Sequence, residues 1–181
     1  TTKQRRRKLV DYQEKLAKVN CLDPACGSGN FLTETYLSLR RLENRALKEI
    51  YRDGPLMGGL LNPIRVNISQ FYGIEINDEI ARFAKMNMIV HYDGHTNVIS
   101  HDALESIDKM KEHNKGFSEN RFDLILTNPP FGSTINLAEK PYLSSYELGN
   151  NIDTKGKQKP RKNQSSEVLF IERIWQFLKP G

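Results

Sequence analysis

Apolar residues recur along this chain in two rhythms, and the change from one to the other marks where elements begin and end. Between Asn30 and Ile50 one apolar stripe runs through Leu32, Tyr36, Leu39, Leu42, Ala46 and Ile50, at steps of three and four. One helical face repeats at that spacing, so the segment predicts a long amphipathic helix laid over a core. Leu9, Tyr12 and Leu16 repeat the spacing in the polar, basic stretch 1–18 and predict a shorter helix there. Ile80, Ala84 and Met88 predict a third helix, with Asn77 as its N-cap and Asp78 and Glu79 in its first turn. Ser165-Ser166-Glu167 opens a fourth, striped by Val168, Ile171, Trp175 and Leu178 and stopped by Lys179-Pro180-Gly181.

Short apolar runs separate the helical stretches, as buried parallel strands do. They lie at Val19 to Asp23, Ile68 to Glu75, Asn97 to Leu104, and from Phe122 through Leu124–Leu126. Strand and helix therefore alternate, which predicts an α/β domain with a mainly parallel sheet. Asp53 to Arg65, with Gly54-Pro55, Gly58-Gly59 and Asn62-Pro63, reads as a loop or surface excursion whose Leu56, Met57, Leu60 and Leu61 need cover. Lys109 to Asn120 reads as polar and exposed. Residues 132–164 show little periodicity and carry Lys140, Lys155, Lys157, Lys159, Arg161 and Lys162, which predicts a mobile basic loop.

Composition narrows the setting. At 181 residues this is one domain's worth of chain. No apolar run approaches the ~20 residues of a membrane span, and the basic N-terminus has no apolar segment behind it, so it is not a secretory signal. Its two cysteines, Cys21 and Cys26, imply no disulfide framework and suit a reduced, cytosolic setting. The four histidines lack metal-ligand spacing, so no metal site is expected. A formal net charge of +5 agrees with an anionic partner such as nucleic acid. The cluster Arg5-Arg6-Arg7-Lys8 reads either as a phosphate contact or as a solvated helix face. The chain starts at Thr1 rather than Met, which suggests a piece of a longer protein.

Two strings carry chemistry. In Phe122-Asp123-Leu124-Ile125-Leu126-Thr127-Asn128-Pro129-Pro130-Phe131-Gly132 a strand ends at Asn128, and two prolines forbid further ladder bonds and fix φ. The chain then presents an amide side chain, a stiff backbone carbonyl and an aromatic face. Two uncharged acceptors side by side suit an exocyclic amino group, and the ring suits a flat heterocycle held by stacking. A strand-ending Asn-Pro turn is the plain alternative. The second string is Leu22-Asp23-Pro24-Ala25-Cys26-Gly27-Ser28-Gly29-Asn30-Phe31. Gly27 and Gly29 supply positive φ or close backbone approach where a strand turns into a helix, so bare N–H groups face a ligand. A dinucleotide fingerprint would want a third glycine at Leu32. Its absence makes a zwitterionic amino acid a better polar end than a pyrophosphate. Glu75 ends the next strand, where a carboxylate grips the vicinal hydroxyls of a ribose, with Ile76 against the adjoining base.

Together these strings closely resemble the motifs of the amino-methylating DNA methyltransferases. The adenine-N6 enzymes of restriction-modification systems are the nearest match: the modification subunits of type I systems and the large fused type II enzymes. The resemblance runs from Leu9 to Gly181. It implies a Rossmann-like class I S-adenosylmethionine-dependent fold, truncated after the fourth strand and its helix. It divides the chain into a basic helix (1–18), a cofactor and catalytic core (19–131), the basic loop (132–164) and a closing helix (165–181). S-adenosyl-L-methionine would lie along Asp23, Pro24, Ala25, Cys26, Gly27, Ser28, Gly29, Asn30 and Phe31. Asp23 would take its ammonium group and Phe31 would pack beside it. Glu75 and Ile76 would hold the ribose and adenine, Asp102 with Ala103 the adenine amino group, and Asn128 would touch both cofactor and target. Asn128, Pro129, Pro130 and Phe131 would be the catalytic residues, with Phe131 stacked on a flipped-out adenine. The implied partners are DNA and specificity and restriction subunits or fused domains, in a prokaryotic cytoplasm. Further strands, the segment that helps close the methionine pocket and a target-recognition domain are expected outside this stretch. Similar Asn-Pro-Pro-aromatic strings occur in cytosine-N4 DNA enzymes, RNA base methyltransferases and protein-glutamine methyltransferases. All of these meet a planar amino group. A non-catalytic DNA-binding or assembly subunit that keeps the fold is the alternative from another class.

Overall fold

The computed structural model describes residues 2–52, 54, 65–92, 97–154 and 156–181, with the backbone alone at 91 and 92. The predicted excursion, including Leu56, Met57, Leu60 and Leu61, lies largely outside the described residues, as does Lys155. In chain order the elements are α1 (Thr2–Leu16), β1 (Cys21–Asp23), α2 (Asn30–Tyr51), β2 (Phe71–Glu75), α3 (Asp78–Tyr92), β3 (Asn97–Ser100), α4 (Ile107–His113), β4 (Leu124–Ile125), β5 (Thr134–Asn136), β6 (Asn150–Ile152), β7 (Gln158–Pro160), β8 (Asn163–Ser165) and α5 (Ser166–Phe177). The first four strands form one parallel sheet in the order β3-β2-β1-β4. This is the Rossmann-like arrangement expected, with helices on both faces. One residue beyond β4 in that order, Leu178 pairs in parallel with Phe122.

Strand side chains alternate between the two faces, and each face has its own core. Cys21, Phe71 and Val98 point into a cluster with Leu16, Leu32, Leu39, Ala84 and Met88, contributed by α1, α2 and α3. Leu22, Tyr72, Ile74 and Ile99 point the other way, onto Met110, Phe117, Phe122, Leu169 and Phe177. Edge-on ring pairs Tyr72–Phe122 (5.2 Å) and Phe122–Phe177 (5.7 Å) fix the start of β4 and the end of α5 against the sheet.

Helix α1 docks on α2 through polar contacts. Glu43 is fully buried on α2 and accepts from Gln13 and from the Val66 amide. Arg5 pairs with Glu49, and Arg6 donates to the Ile50 and Gly54 carbonyls where α2 ends. A cation at a helix C-terminus meets unsatisfied carbonyls and the negative end of the dipole. Half of the basic cluster thus serves helix packing, a use that neither sequence reading anticipated.

Three expectations need correction. Residues 132–164 are not a structureless loop. Their strands pair antiparallel as β5–β8 and β6–β7, around a 3-10 turn at Pro141–Ser145. Leu143 and Tyr146 are buried, and the Asn150 amide ties Ser144 and Tyr146 carbonyls together. Strands of three residues are too short to show a period. The stretch 109–120 is not wholly exposed, since α4 buries Ile107 and Met110, and Phe117 is fully buried after it. On α5 the predicted stripe is turned outward, with Ile171 64% and Trp175 79% exposed, while Leu169, Phe170, Arg173 and Phe177 face inward. Smaller shifts follow the same logic: α3 buries Ala81, Ala84 and Met88 rather than Ile80, and Leu42 stays exposed on α2.

Candidate active site

In the sheet order, β1 has β2 on one side and β4 on the other, so the connections reverse direction there. Crevices at such a switch point, outside the carboxyl ends of the strands, bind ligands in open α/β sheets. The chain leaves β1 at Asp23 and turns at once into α2. The Cys26 amide donates to the Ile74 carbonyl and the Gly29 amide to the Cys26 carbonyl, closing a compact turn beside β2. Gly27 and Gly29 take φ of +51° and +83°. A side chain is disfavoured in that region, although a Cβ on Gly29 would meet Ala84 only at an ordinary contact distance of 3.4 Å.

A cavity of about 490 Å³ opens at this point. It gathers groups from all four strand ends: Pro24 and Ala25 after β1, Glu75 and Ile76 after β2, Asp102 and Ala103 after β3, Asn128 and Pro130 after β4. The remaining predicted residues are not in its wall. Cys26 is buried beneath the turn, Gly27, Ser28, Gly29 and Asn30 form the turn and helix start, and Phe31 is 49% exposed. Pro129 lies between two wall residues, and Phe131 stands 73% exposed at the rim of the sheet.

The three acids differ in what they have left to offer. Glu75 accepts from the Gly27 amide (3.0 Å) on one oxygen and from the Asn77 amide (2.9 Å) on the other. Each carboxylate oxygen has a second lone pair, so one acceptor site remains on each. Asp102 accepts from the Leu104 amide through Oδ1, while Oδ2 takes both the Tyr142 hydroxyl (2.9 Å) and the Lys140 ammonium (3.1 Å). Asp23 is sealed off, 1% exposed. Its Oδ1 accepts from the Ala25 amide, and Oδ2 lies buried without a well-aligned partner. Burial pushes the Asp23 carboxyl up to about 6, helped by the Glu75 charge and opposed by Thr127 and the Ala25 amide. Burial also pushes the Cys21 thiol up to about 12 and the Cys26 thiol higher still, so neither serves as a nucleophile at neutral pH.

His101 belongs to the cavity wall as well. It is held low by burial and sits 3.1 Å from Glu105, with its ring 5.2 Å from that of His113. Sequence reasoning missed Lys140, Tyr142, Ser133, Ile135, Ser166 and Phe170, which close the cavity from the 132–164 segment and α5. Only the basic character of Lys140 marked any of them, because Ser133, Ile135, Lys140 and Tyr142 lie on or beside a short strand and a 3-10 turn that leave no periodic trace, and Ser166 and Phe170 lie on a face of α5 that the stripe did not select. Among the described residues, no three His, Cys, Asp or Glu side chains gather as metal ligands, and no helix is long and apolar enough to cross a membrane.

The cavity suits a nucleoside-sized ligand. Its volume lies within the ~300–1,000 Å³ common to small-molecule sites, and apolar wall faces alternate with the acceptors of Glu75, Asp102 and Asn128. Residues 1–110 match the family model described as the MmeI DNA-methyltransferase domain, and residues 69–181 match that of the Eco57I restriction-modification methylase. The chain is 43% identical over 81 residues to DNA methyltransferase A of Bacillus subtilis, covering 45% of this chain and 9% of the relative. It is 26% identical over 132 residues to the methylase subunit of the type I restriction enzyme MpnII of Mycoplasma pneumoniae, covering 67% of this chain and 20% of the relative. It thus spans a fifth or less of these two relatives. Among solved structures, the type IIL restriction-modification enzyme MmeI in complex with DNA superposes with a TM-score of 0.61 at 23% identity, covering 95% of this chain and 24% of that one. A type I restriction-modification structure superposes with a TM-score of 0.55 at 24% identity, covering 97% and 29%.

Proposed function

Since the chain belongs to the restriction-modification DNA methyltransferases, we propose that it is the cofactor-binding and catalytic part of an enzyme that methylates adenine N6 in DNA. The observation that carries this reading is the one cavity shared by Glu75 at the end of β2, Asp102 after β3 and Asn128 after β4. Glu75 offers one free acceptor site on each oxygen to two ribose hydroxyls, and Ile76 lies beside it for the adenine face. Asp102 offers its remaining Oδ1 site to the adenine amino group, or releases Lys140 to do so. Asp23 is assigned to the ammonium of the methionine end, which requires the turn after β1 to open around its buried carboxylate. Bound there, S-adenosyl-L-methionine supplies a methyl group already activated by positive sulfur, so no protein nucleophile is needed.

What the protein adds is position and electrostatics. Asn128 and the Pro129 carbonyl accept hydrogen bonds from the two N–H groups of the target amino group and keep its nitrogen lone pair turned toward the incoming methyl; as the N–C bond forms the S–C bond breaks, and the nitrogen then gives up one proton to solvent. Phe131, already exposed, supplies the stacking face for a base rotated out of the duplex. Asn128→Ala is expected to abolish most transfer while cofactor binding survives; retained activity would remove Asn128 from the mechanism. Phe131→Ala is expected to weaken target binding by ~1–3 kcal/mol. Equal weakening on DNA with an abasic target would exclude stacking.

The deciding experiment offers the full-length protein methyl-labelled cofactor with unmethylated duplex DNA, RNA and protein extract, and identifies the labelled product by mass. N6-methyladenine in DNA alone establishes the reaction. Label in N4-methylcytosine, RNA or glutamine replaces the substrate but keeps the site. No label with intact cofactor binding points to a missing partner subunit or a non-catalytic role.

A further inference from the structure

The Asn-Pro-Pro-Phe loop does not hold itself in place. Prolines fix φ at 129 and 130, but they leave ψ free and donate no hydrogen bond. Phe131 is 73% exposed, so its ring has little packing to locate it. Three contacts from the first turn of α5 replace what the loop lacks. The Ser166 hydroxyl donates to the Pro130 carbonyl at 3.2 Å. The Ser166 amide donates to the Ser133 carbonyl at 2.9 Å. The Gly132 amide donates to the Glu167 carboxylate at 2.6 Å. The Pro130 and Gly132 contacts fall on the peptide groups just before and just after Phe131, and the Ser133 contact holds the chain two residues further on. Gly132 takes φ of +75°, so the chain reverses there while its N–H is gripped. Ser166 is buried at 2% exposure, and the cavity wall includes it together with Asn128 and Pro130.

We propose that Ser166 and Glu167 are positioning residues of the reaction, a clamp that fixes both peptide planes flanking Phe131 and thereby sets its ring against the target base and the nearby Pro129 carbonyl toward that base's amino group. The inference rests on the methyl-transfer reading of the Asn-Pro-Pro-Phe loop. It assigns to α5 a role in the chemistry although the helix itself touches no reacting atom. Glu167 acts as an acceptor, so a neutral amide oxygen in the same place retains much of the effect. Ser166 acts as a donor through its hydroxyl, whose one hydrogen faces the Pro130 carbonyl at 3.2 Å with Glu167 Oε2 next at 3.4 Å, so alanine there removes both hydroxyl contacts and leaves the amide contact to Ser133 intact.

The test compares the full-length wild-type protein with Glu167→Ala, Glu167→Gln and Ser166→Ala. Cofactor affinity and melting temperature are measured first. Single-turnover methyl transfer to unmethylated genomic DNA is then followed, and amide hydrogen exchange is read for the peptide over residues 128–134. The clamp predicts that Glu167→Ala lowers the transfer rate at saturating DNA by about tenfold or more, since small misplacements of reacting groups cost that much. Cofactor affinity and melting should stay close to wild type. Exchange should quicken at 128–134 alone, and Glu167→Gln should recover most of the rate. Active wild-type protein whose Glu167→Ala variant keeps its rate overturns the clamp. So does a loss of rate that tracks lost cofactor affinity or melting in both Glu167→Ala and Ser166→Ala, and so does a glutamine variant no better than alanine. Wild-type protein isolated with the subunits it carries in its host that binds cofactor but methylates no DNA, RNA or protein overturns the functional reading, and the clamp's part in transfer with it.

Discussion

A carboxyl group sealed behind a turn weighs against folding whenever it is charged, and Asp23 is in that position. Its pKa in the folded chain is raised to about 6 from an ordinary 3.8. The fold therefore favours the protonated form, and that contribution is complete below pH 3.8 and lost as the pH rises through about 6. Asp23→Asn, which keeps an oxygen for the Ala25 amide, is expected to stabilise the cofactor-free protein at pH 7.5 by about 1–3 kcal/mol. The gain should fade toward pH 4. Urea melts at the two pH values check it, and an unchanged midpoint at both would mean that the carboxyl is not strained. The same variant is expected to bind cofactor more weakly, because an amide offers an ammonium no charge. A stability gain bought with lost binding is what a site held ready for a ligand shows.

Helix α5 sets the next scale. Val168, Leu169, Phe170, Ile171, Ile174, Trp175, Phe177 and Leu178 make it apolar nearly all round, so spacing alone selects no face. The face is decided by Arg173, 4% exposed, whose guanidinium donates to the Leu104 and Glu105 carbonyls and to the Tyr146 hydroxyl. Tyr146 in turn donates to the Leu104 carbonyl at 2.6 Å. This cluster ties α5 to the turn after β3 that carries Asp102. Tyr146→Phe is expected to cost about 1–3 kcal/mol by leaving buried partners unsatisfied, with urea denaturation as the measure. A cost near zero would show that water or a neighbour replaces the hydroxyl. Local strings were legible where one short stretch states its own geometry: the glycine turn after β1, the acid ending β2, and the Asn-Pro-Pro end of β4. Features that depend on distant partners were not. A buried arginine satisfied by carbonyls and a tyrosine looks on paper like a polar break in a stripe, and α4 buries too few apolar residues to show a period.

Across the whole molecule, the β6–β7 hairpin holds Lys157, Lys159 and Lys162 exposed on or beside β7. If these cations meet DNA phosphates, replacing all three by alanine should weaken DNA binding uniformly across sequences. It should also flatten the dependence of log affinity on log salt by roughly 0.9 for each lost contact. Cofactor affinity should not move, and an unchanged salt slope would place the hairpin away from the duplex. The sheet order has a further consequence, in the sequence of assembly. Strands β1, β2 and β3 come from the first hundred residues, and β1 pairs with β2 across a separation of about half that to β4: Cys21 with Phe71, then with Leu124. Longer loops close at greater entropic cost, and Phe122 also waits for Leu178 and Phe177 from the end of α5. During synthesis the Glu75 and Asp102 side of the cavity can therefore form while the Asn128 loop is still unanchored, so on the proposed function a hold on the cofactor precedes the means to use it.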